Sequence, residues 1–554
     1  MPEQVIHGLG VSPGVVCGPW LRFGSQLQTS AQDPVGGSPD AELARVKAAL
    51  AGVADDMAAR ASRVDGVAAE ILSMSATMAR DPGIVAAADK ELRAGMPTAH
   101  AVHLAFEGFC AKLEALGGYM AERATDLRDI GGRTIAVLLG EPMPGIPEPG
   151  FPFVLVARDL APADTAMLGG SDVVGLLTSE GGPTSHTAIL AKSLGLPAVV
   201  SCPRTDELVE GAPILLDGAT GEVVIDPSPA RQRAAVEQAA ADKARLAAAS
   251  GPGHTADGTP VHLLVNIGTV DDAVKAAPVD SEGVGLFRTE FMYLGKASEP
   301  SLDEQTASYT AVLEQFAGRR VVVRTLDAGS DKPLPFLDLG TEENPALGVR
   351  GLRIGSVFPD TLATQLTALA RAGAATGADL WVMAPMVATA DEAAGFAALA
   401  RESGVRKVGA MIEIPAAALR AADLLAHLDF VSIGTNDLSQ YTCAADRMAG
   451  SLAQLLDPWQ PAVLDLIAMV GAAGTASGKS VGVCGEAASD PLLAPVLVGL
   501  GVTSLSMSVP ALPAVRAALA EIDIQRCQEA ADAACAARGP QIAREVVAAI
   551  VGRV

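Results

Sequence analysis

Two kinds of segment alternate eight times in the C-terminal half of this 554-residue chain. From Pro260 onward, short apolar runs that end in polar residues are separated by segments of helical composition. Eight strand–helix units of this size predict a TIM barrel, whose strands all end at one rim. An open doubly wound sheet is the alternative, but it needs glycine-rich phosphate turns that this region lacks. The eight apolar runs are VHLLVNI, GVGLFRT, RVVVRTLD, LWVMAPM, KVGAMIE, DFVSIGTND, SVGVCGE and VTSLSMS.

The N-terminal half has a different pattern, with a helical block between strand-like pieces. From Asp40 to about Ile130 the sequence is rich in Ala with scattered charges, which predicts a run of amphipathic helices. The pieces VVCGPWLRF and FVLVARDL flank this block, so the fold class is multidomain α/β with the helices inserted into an α/β domain. We expect a discontinuous α/β domain over residues 1–36 and 146–228, a helical subdomain over 37–145, a linker helix and hinge over 229–257, and the barrel over 258–554.

Composition narrows the class of function. The chain has 40 Lys and Arg against 64 Asp and Glu, a formal net charge of −24, which argues against binding nucleic acid or anionic membranes. Its seven Cys include no CxxC pair, as expected in a reducing cytoplasm. The segment Pro491–Val515 is uncharged and long enough to span a bilayer, but its four prolines favour a buried strand with flanking turns. We therefore expect a cytoplasmic protein without stable membrane insertion.

Polar residues capable of chemistry follow the predicted strands and are expected to surround one small molecule. Three arginines, Arg288, Arg324 and Arg447, match a multiply charged anion, because a guanidinium donates to carboxylate or phosphate oxygens two at a time. Glu413 and Asp437 are expected on neighbouring strands about 4.8 Å apart, where they could share Mg²⁺. The remaining candidates at or near strand ends are Asn266, Asp327, Asn436 and Cys484.

Each of these residues also has a purely structural explanation. The arginines and carboxylates could pair with one another, and Cys484 could be a small buried hydrophobic residue. Asn436 and Asp437 could end a strand and cap the next helix. The joint placement of the whole set at strand ends is what favours function.

His186 follows a Gly-Gly turn and is expected close to the start of a helix, after the possible cap residues Thr184 and Ser185. A helix N-terminus offers free N–H groups and the positive end of the helix dipole, which favour a phosphate or a phosphorylated side chain. His186 could therefore carry a phosphoryl group, or it could cap the helix or pack at its start.

Several motifs, in one order, resemble those of enzyme I of the bacterial phosphoenolpyruvate:sugar phosphotransferase system. GGPTSHTAILAKSLGLPAVV is similar to the phosphohistidine motif of that family, and EGVGLFRTEF and VVVRTLDAGSDK are similar to its phosphate-binding arginine segments. ENPALGVRGLRI resembles the loop that follows, and VSIGTNDLSQYTCAADR and GVCGEAAS resemble its metal and acid segments. The resemblance runs nearly from end to end.

The resemblance implies an enzyme that transfers the phosphoryl group of phosphoenolpyruvate to its own histidine, releases pyruvate, and passes the group to the phosphocarrier protein HPr. It implies a swivelling phosphohistidine domain, HPr docking on the inserted helices, and a homodimer formed through the barrel. For the site, it implies His186 as the phosphorylated residue, Arg288, Arg324, Asn436, Asp437 and Arg447 as substrate ligands, Glu413 and Asp437 as Mg²⁺ ligands, and Cys484 as the proton donor to the enolate.

One departure and two alternatives accompany the resemblance. Pro183 stands where many members carry Arg, which removes a possible phosphate contact, and the inserted helices match the family less closely.

Pyruvate phosphate dikinases and phosphoenolpyruvate synthases share single motifs with this chain, so a related component working with a separate ATP-binding chain is the first alternative function. A non-catalytic phosphoenolpyruvate sensor is the second, but it would have little use for a proton donor at Cys484.

Overall fold

The computed structural model forms two compact units, Met1–Ala241 and Asp242–Val554. The boundary between them falls inside the helix Pro229–Ala248, in the segment predicted as a linker. Each unit has its own apolar clusters of buried residues. The structure describes residues 3–23, 29–61, 74–116, 118–141, 145–147, 149–160, 168, 171–182, 186–205, 208–294, 296–329, 334–340, 342–447 and 450–552.

The C-terminal unit contains a closed barrel of eight parallel strands, which confirms the predicted TIM barrel. The strands are β9 His262–Ile267, β10 Gly283–Arg288, β11 Arg320–Arg324, β12 Asp379–Ala384, β13 Lys407–Ile412, β14 Phe430–Ile433, β15 Ser480–Val483 and β16 Ser504–Met507. They follow one another around the barrel in chain order, and β16 closes it by pairing with β9, with Ser504 opposite His262. Because all eight run parallel, their carboxyl ends share one rim.

Polar caps determine where several barrel helices begin. Thr269, Ser301 and Thr389 each form a capping box, in which the cap side chain accepts a backbone hydrogen bond and an acidic residue three positions later bonds back. The α-helices lying wholly within this unit are Val270–Ala276, Leu302–Glu314, Ile354–Val357, Pro359–Ala375, Ala390–Glu402, Pro415–Leu419, Ala421–Leu425, Thr435–Cys443, Pro461–Ser477, Leu493–Gly499, Leu512–Ala520, Ile524–Cys535 and Pro540–Val551.

The main core of this unit lies between the strands and the helices around them. Val323 and Val431 on strands pack with helix residues such as Leu369 and Ile467, and all four are buried. Fully burying one such side chain contributes roughly 1.5–3 kcal/mol. Residues on the opposite face of the strands, together with Cys484, form a smaller cluster inside the barrel. The strands β10 to β14 therefore carry packed side chains on both faces.

The N-terminal unit contains an eight-stranded mixed sheet in the order β1-β8-β7-β3-β4-β5-β6-β2. Its strands are β1 Gln4–His7, β2 Leu9–Ser12, β3 Val15–Arg22, β4 Phe153–Ala157, β5 Val173–Thr178, β6 Ala198–Val200, β7 Pro213–Asp217 and β8 Glu222–Ile225. β3 to β6 pair in parallel, and all five residues of β4 are buried, as expected for a strand covered on both faces. The helix His186–Leu194 lies between β5 and β6 in the chain.

A set of helices is inserted in the chain between β3 and β4, as the sequence predicts. Val53, Phe106 and Ile130 are among the buried residues of its own apolar cluster. Asp81 caps one helix by accepting a hydrogen bond from the backbone of Gly83, with proline at the first position of the helix. Four of these helices have both ends within the described residues, and they are Pro39–Ala61, Pro82–Arg93, Thr98–Leu116 and Gly118–Leu139.

The uncharged segment 491–515 is part of the barrel unit and contains the buried strand β16, as predicted. Turns flank the strand, as predicted: Leu500 and Gly501 precede it, and the single 3-10 turn Val509–Ala511 follows it. The helices Leu493–Gly499 and Leu512–Ala520 lie beyond these turns. Pro513 is in the first turn of its helix, where a missing N–H costs little. Within the described ranges, no helix combines the length and apolar character needed to cross a bilayer.

Candidate active site

Four predicted site residues stand at the carboxyl ends of barrel strands. Arg288 and Arg324 are the last residues of β10 and β11, and Glu413 and Cys484 directly follow β13 and β15. Residues far apart in the sequence therefore meet at one rim.

Arg324 is buried and held by two carboxylates. Its Nη2 lies 2.6 Å from Glu290 Oε1, and its Nη1 lies 2.9 Å from Asp327 Oδ2. Burial lowers the pKa of Arg324, but Coulombic attraction to Asp327 and Glu290 outweighs burial and raises the pKa overall. Among the described residues, Nε of Arg324 and Oε2 of Glu290 are buried without a hydrogen-bond partner. This ion-paired group therefore keeps bonding capacity for a ligand.

Arg350 is a site residue that was not predicted. Only 1% of its surface is exposed. Its Nη1 and Nη2 donate to the two oxygens of Asp437 at 2.9 and 3.3 Å, and its Nε donates to Asp327 at 3.3 Å. Burial lowers the pKa of Arg350, but these two carboxylates raise it well above its ordinary value. The motif ENPALGVRGLRI pointed to this loop without singling out its first arginine.

Glu413 and Asp437 are both buried, but they do not lie on neighbouring strands as predicted. Glu413 directly follows β13, whereas Asp437 lies in the first turn of the helix Thr435–Cys443, which begins soon after β14 ends. The backbone N–H of Met386 donates to Glu413 Oε1 at 2.9 Å. The two terminal nitrogens of the Arg350 guanidinium hold Asp437 by donating to its two carboxylate oxygens.

The electrostatics of Glu413 fit a bound cation. Desolvation raises the pKa of Glu413, and the negative charges of Asp437 and Asp327 raise it further, against the opposing effect of Arg324. A divalent cation relieves such repulsion, and Mg²⁺ commonly takes one or two carboxylates together with substrate oxygens and water. In the part of the chain that the structure describes, no set of three His, Cys, Asp or Glu is arranged to hold a metal by itself. The donor set therefore fits Mg²⁺ held partly by a substrate.

Three predicted substrate ligands are partly or largely exposed. Arg288 is exposed, and Arg447 is half-buried with its Nη1 3.7 Å from Asp437 Oδ2. Asn436 is exposed and accepts a 3.3 Å hydrogen bond from the backbone of Glu486, which connects the segments after β14 and β15. The guanidinium groups of Arg288 and Arg447 are therefore accessible from solvent.

Cys484 is a buried thiol beside charged groups. Its surface is 4% exposed, and its Sγ lies 3.6 Å from the carbonyl oxygen of Ile433. Burial raises the pKa of Cys484 to about 11, with a smaller increase from Glu413 and decreases from Arg324 and Arg288. The residue is packed in the interior cluster of the barrel, and it also keeps its proton at neutral pH.

Asn266 supports the segment that carries Cys484. It lies within β9, and its Nδ2 donates to the carbonyl oxygens of Cys484 and Ser506, both at 3.3 Å. The hydroxyl of Ser506 donates back to Asn266 Oδ1 at 2.6 Å. The side-chain amide of Asn266 thus connects β9 to β16 and to the residue that follows β15.

His186 is the first residue of the helix His186–Leu194 in the N-terminal unit, which confirms the predicted helix start. The predictions about Pro183 and the cap residues Thr184 and Ser185 concern positions outside the described residues.

Three family models match the chain in sequence order. They are the N-terminal domain of PEP-utilising enzymes over residues 7–123, the mobile domain over 151–221, and the PEP-binding domain over 243–524. The mobile-domain match contains His186, and the PEP-binding match, about half of the chain, contains the barrel residues described above.

Known relatives match over nearly their whole length. A phosphoenolpyruvate-protein phosphotransferase of Streptomyces coelicolor is 50% identical over 552 residues, covering 99% of both chains. Proteins of the same name from Haloferax volcanii and Geobacillus stearothermophilus are 42% and 39% identical, covering 96% and 94% of this chain and 97% and 93% of their own. The solution structure of Enzyme I (nEIt) matches 43% of this chain and 99% of that chain at 28% identity, but its TM-score of 0.37 is too low to support a conclusion. On the sequence matches, the chain belongs to the phosphoenolpyruvate-protein phosphotransferases, a family of PEP-utilising enzymes.

Proposed function

We propose that this protein takes the phosphoryl group of phosphoenolpyruvate onto His186, releases pyruvate, and passes the group to an HPr phosphocarrier protein. The observation that carries the proposal is the placement of Arg324, Glu413 and Cys484, all three buried, at the carboxyl ends of three strands of one closed barrel. A cation, a carboxylate and a thiol in one place supply charge neutralisation and a proton to the same small substrate.

In this proposal, arginines bind the anionic oxygens of phosphoenolpyruvate. Arg288 and Arg447 approach from the accessible side of the rim, and Arg324 approaches from the buried side. The ion pair with Glu290 fixes the direction of the Arg324 guanidinium before the substrate arrives. Asn436 contributes a neutral polar group. Such prearranged charge stabilises a transferring phosphoryl group without reorganisation during the reaction.

Glu413 and Asp437 are the proposed Mg²⁺ ligands. When bound, Mg²⁺ supplies positive charge to oxygens of the phosphoryl group and of the leaving enolate. Arg350 contacts both oxygens of Asp437, and this fork holds the carboxylate in one orientation.

Cys484 completes the reaction. An unprotonated nitrogen of His186 attacks phosphorus, so the phosphorus–oxygen bond of phosphoenolpyruvate breaks, a phosphorus–nitrogen bond forms, and pyruvate leaves as its enolate. The Cys484 thiol then donates its proton to the terminal carbon of the enolate, and the resulting thiolate regains a proton from solvent. Because burial raises the pKa of the thiol, Cys484 keeps this proton until the strongly basic enolate forms.

Donor and acceptor cannot occupy one closed site together, so we propose that the His186 domain moves between the barrel and HPr. In this scheme the α/β domain comprises residues 1–36 and 146–228, the hinge 229–257, and the barrel 258–554. HPr docks on the inserted helices of residues 37–145, and a chain with a net charge of −24 suits a basic partner surface. A cytoplasmic homodimer formed through the barrel completes the proposal.

The test mixes purified protein with phosphate-labelled phosphoenolpyruvate and Mg²⁺. Pyruvate should be released, and an acid-labile phosphate should appear on His186. His186→Ala should acquire no label, whereas the control His427→Ala, at an exposed position of the barrel unit, should label as the wild type does. Label on His186→Ala would overturn the proposal. ATP-dependent labelling without phosphoenolpyruvate would favour the dikinase-like alternative, and binding without pyruvate release would favour the sensor.

A further inference from the structure

We propose that Gln365 is a positioning residue for the arginines of the site, an inference that rests on the proposed function. Gln365 lies on the helix Pro359–Ala375, and only 1% of its surface is exposed. It acts through the backbone and hydroxyl groups of the two segments that carry Arg288 and Arg324.

The side-chain amide of Gln365 links the ends of two strands. Its Oε1 accepts a 2.9 Å hydrogen bond from the backbone of Leu326, and its Nε2 donates to Thr289 Oγ1 at 3.1 Å. The Thr289 hydroxyl donates in turn to the carbonyl oxygen of Arg324 at 2.9 Å. One neutral amide thus joins the segment after β10 to the segment at the end of β11.

Both segments carry charged groups of the site. The first carries Arg288 and Glu290, and the second carries Arg324 and Asp327. The ion pair of Arg324 with Glu290, 2.6 Å long, spans the same two segments. A shift of one segment against the other therefore changes the direction in which the Arg324 guanidinium points.

Buried hydroxyl groups hold the amide from the far side. Gln365 Nε2 also donates to Tyr309 OH at 2.9 Å, and Tyr309 OH lies 3.3 Å from Tyr293 OH. Tyr293 OH donates to Gln305 Oε1 at 2.9 Å. Each of these four side chains is at most 1% exposed. A buried network with its bonds satisfied holds its members in a single arrangement.

The first variant is Gln365→Met, which approximately keeps the volume of the side chain and removes its three hydrogen bonds. A charged group displaced by about 1 Å costs roughly 10²-fold in rate. Because prearranged charge acts mainly on the transition state, we expect kcat with phosphoenolpyruvate to fall roughly 10²-fold and KM to change much less.

Gln305→Met is the matched control. Gln305 is equally buried and is the outermost member of the network: its Oε1 accepts from Tyr293 OH and its Nε2 donates to the carbonyl oxygen of Pro300, both at 2.9 Å. It bonds to neither arginine segment, and its replacement leaves the three hydrogen bonds of Gln365 in place. Both variants should melt at lower temperature than the wild type, and only Gln365→Met should lose kcat.

Thr289 offers a second pair of variants. Thr289→Val removes the hydroxyl group at nearly constant shape, whereas Thr289→Ser keeps it. Thr289→Val should therefore lower kcat at least about tenfold more than Thr289→Ser does.

The wild type is assayed first, with phosphoenolpyruvate and Mg²⁺. If His186 is not phosphorylated, the proposed function fails. With an active wild type, equal kcat losses in Gln365→Met and Gln305→Met overturn the positioning role and leave the proposed function in place. If Gln365→Met does not fold, the Thr289 pair decides, and equal kcat in its two variants overturns the positioning role.

Discussion

Arg350→Met should destabilise the barrel, because Arg350 is the buried cation between Asp327 and Asp437. Breaking a buried ion pair by removing one partner costs about 3–5 kcal/mol. In the variant each carboxylate still has a second arginine as partner: Arg324 lies 2.9 Å from Asp327, and Arg447 lies 3.7 Å from Asp437. The free energy of unfolding should therefore fall by an amount at the lower end of this range, about 3 kcal/mol. At about 2 °C per kcal/mol for a large domain, the melting temperature should fall by roughly 6 °C.

Calorimetric unfolding at pH 7 is the assay, since it can separate transitions of the two units. Arg353→Met is the control with the same change of charge in the same loop. Arg353 is half-buried and donates to the backbone oxygens of Gly348 and Leu347 at 3.0 and 3.4 Å, so its loss should cost about 1 kcal/mol. Arg350→Lys should be intermediate, because it keeps the charge and loses the fork. Equal drops for Arg350→Met and Arg353→Met would refute the reasoning.

Three further outcomes are expected. Cys484→Ala should slow pyruvate formation far more than it weakens phosphoenolpyruvate binding, as measured by rapid quench and titration calorimetry; equal losses would indicate a packing role. The hydrogen bond from Thr98 is the main reason that the pKa of Glu42 is lowered, so the stability from the ionised carboxylate is present above its unfolded pKa of about 4.3 and disappears as pH falls through the folded pKa. Melting temperatures of wild type and Glu42→Gln should therefore converge between pH 7 and 3, and a constant gap would contradict this. Gly471→Ala should cost about 1–3 kcal/mol, since the added methyl group meets a backbone carbonyl, whereas Gly395→Ala, in open space on a helix, should gain about 0.5–1 kcal/mol. Equal melting temperatures for the two glycine variants would contradict the close contact between Gly471 and the carbonyl oxygen of Leu500.

The barrel could be predicted because each of its strands and helices is marked by residues that are close together in the sequence. Runs such as Val321–Val323 favour strands, and cap residues such as Thr389 mark where the next helix begins. Since parallel strands share a rim, the positions of Arg324 and Glu413 in the sequence were enough to place both residues there.

The pairing of charges could not be predicted in the same way. Arg350 and Asp437 are 87 positions apart, and no local sequence pattern predicts that an arginine in a loop contacts a carboxylate on a distant helix. Asp437 was expected on a strand, because Asn-Asp after an apolar run fits a strand end as well as a helix start. Gln365 stands in mid-helix, and its contacts with segments 39 and 76 positions away become visible only in three dimensions.

The seam between β9 and β16 joins the first and last strands of the barrel. Asn266, on the first strand, holds the backbone of Cys484 and Ser506, so the thiol acquires its final support only when the circle of strands is complete. Arg288 and Arg324 come from adjacent early strands that pair directly with each other. A weakened seam would therefore disturb the thiol before it disturbs the two arginines, so in the proposed reaction the loss should appear in pyruvate release rather than in anion binding.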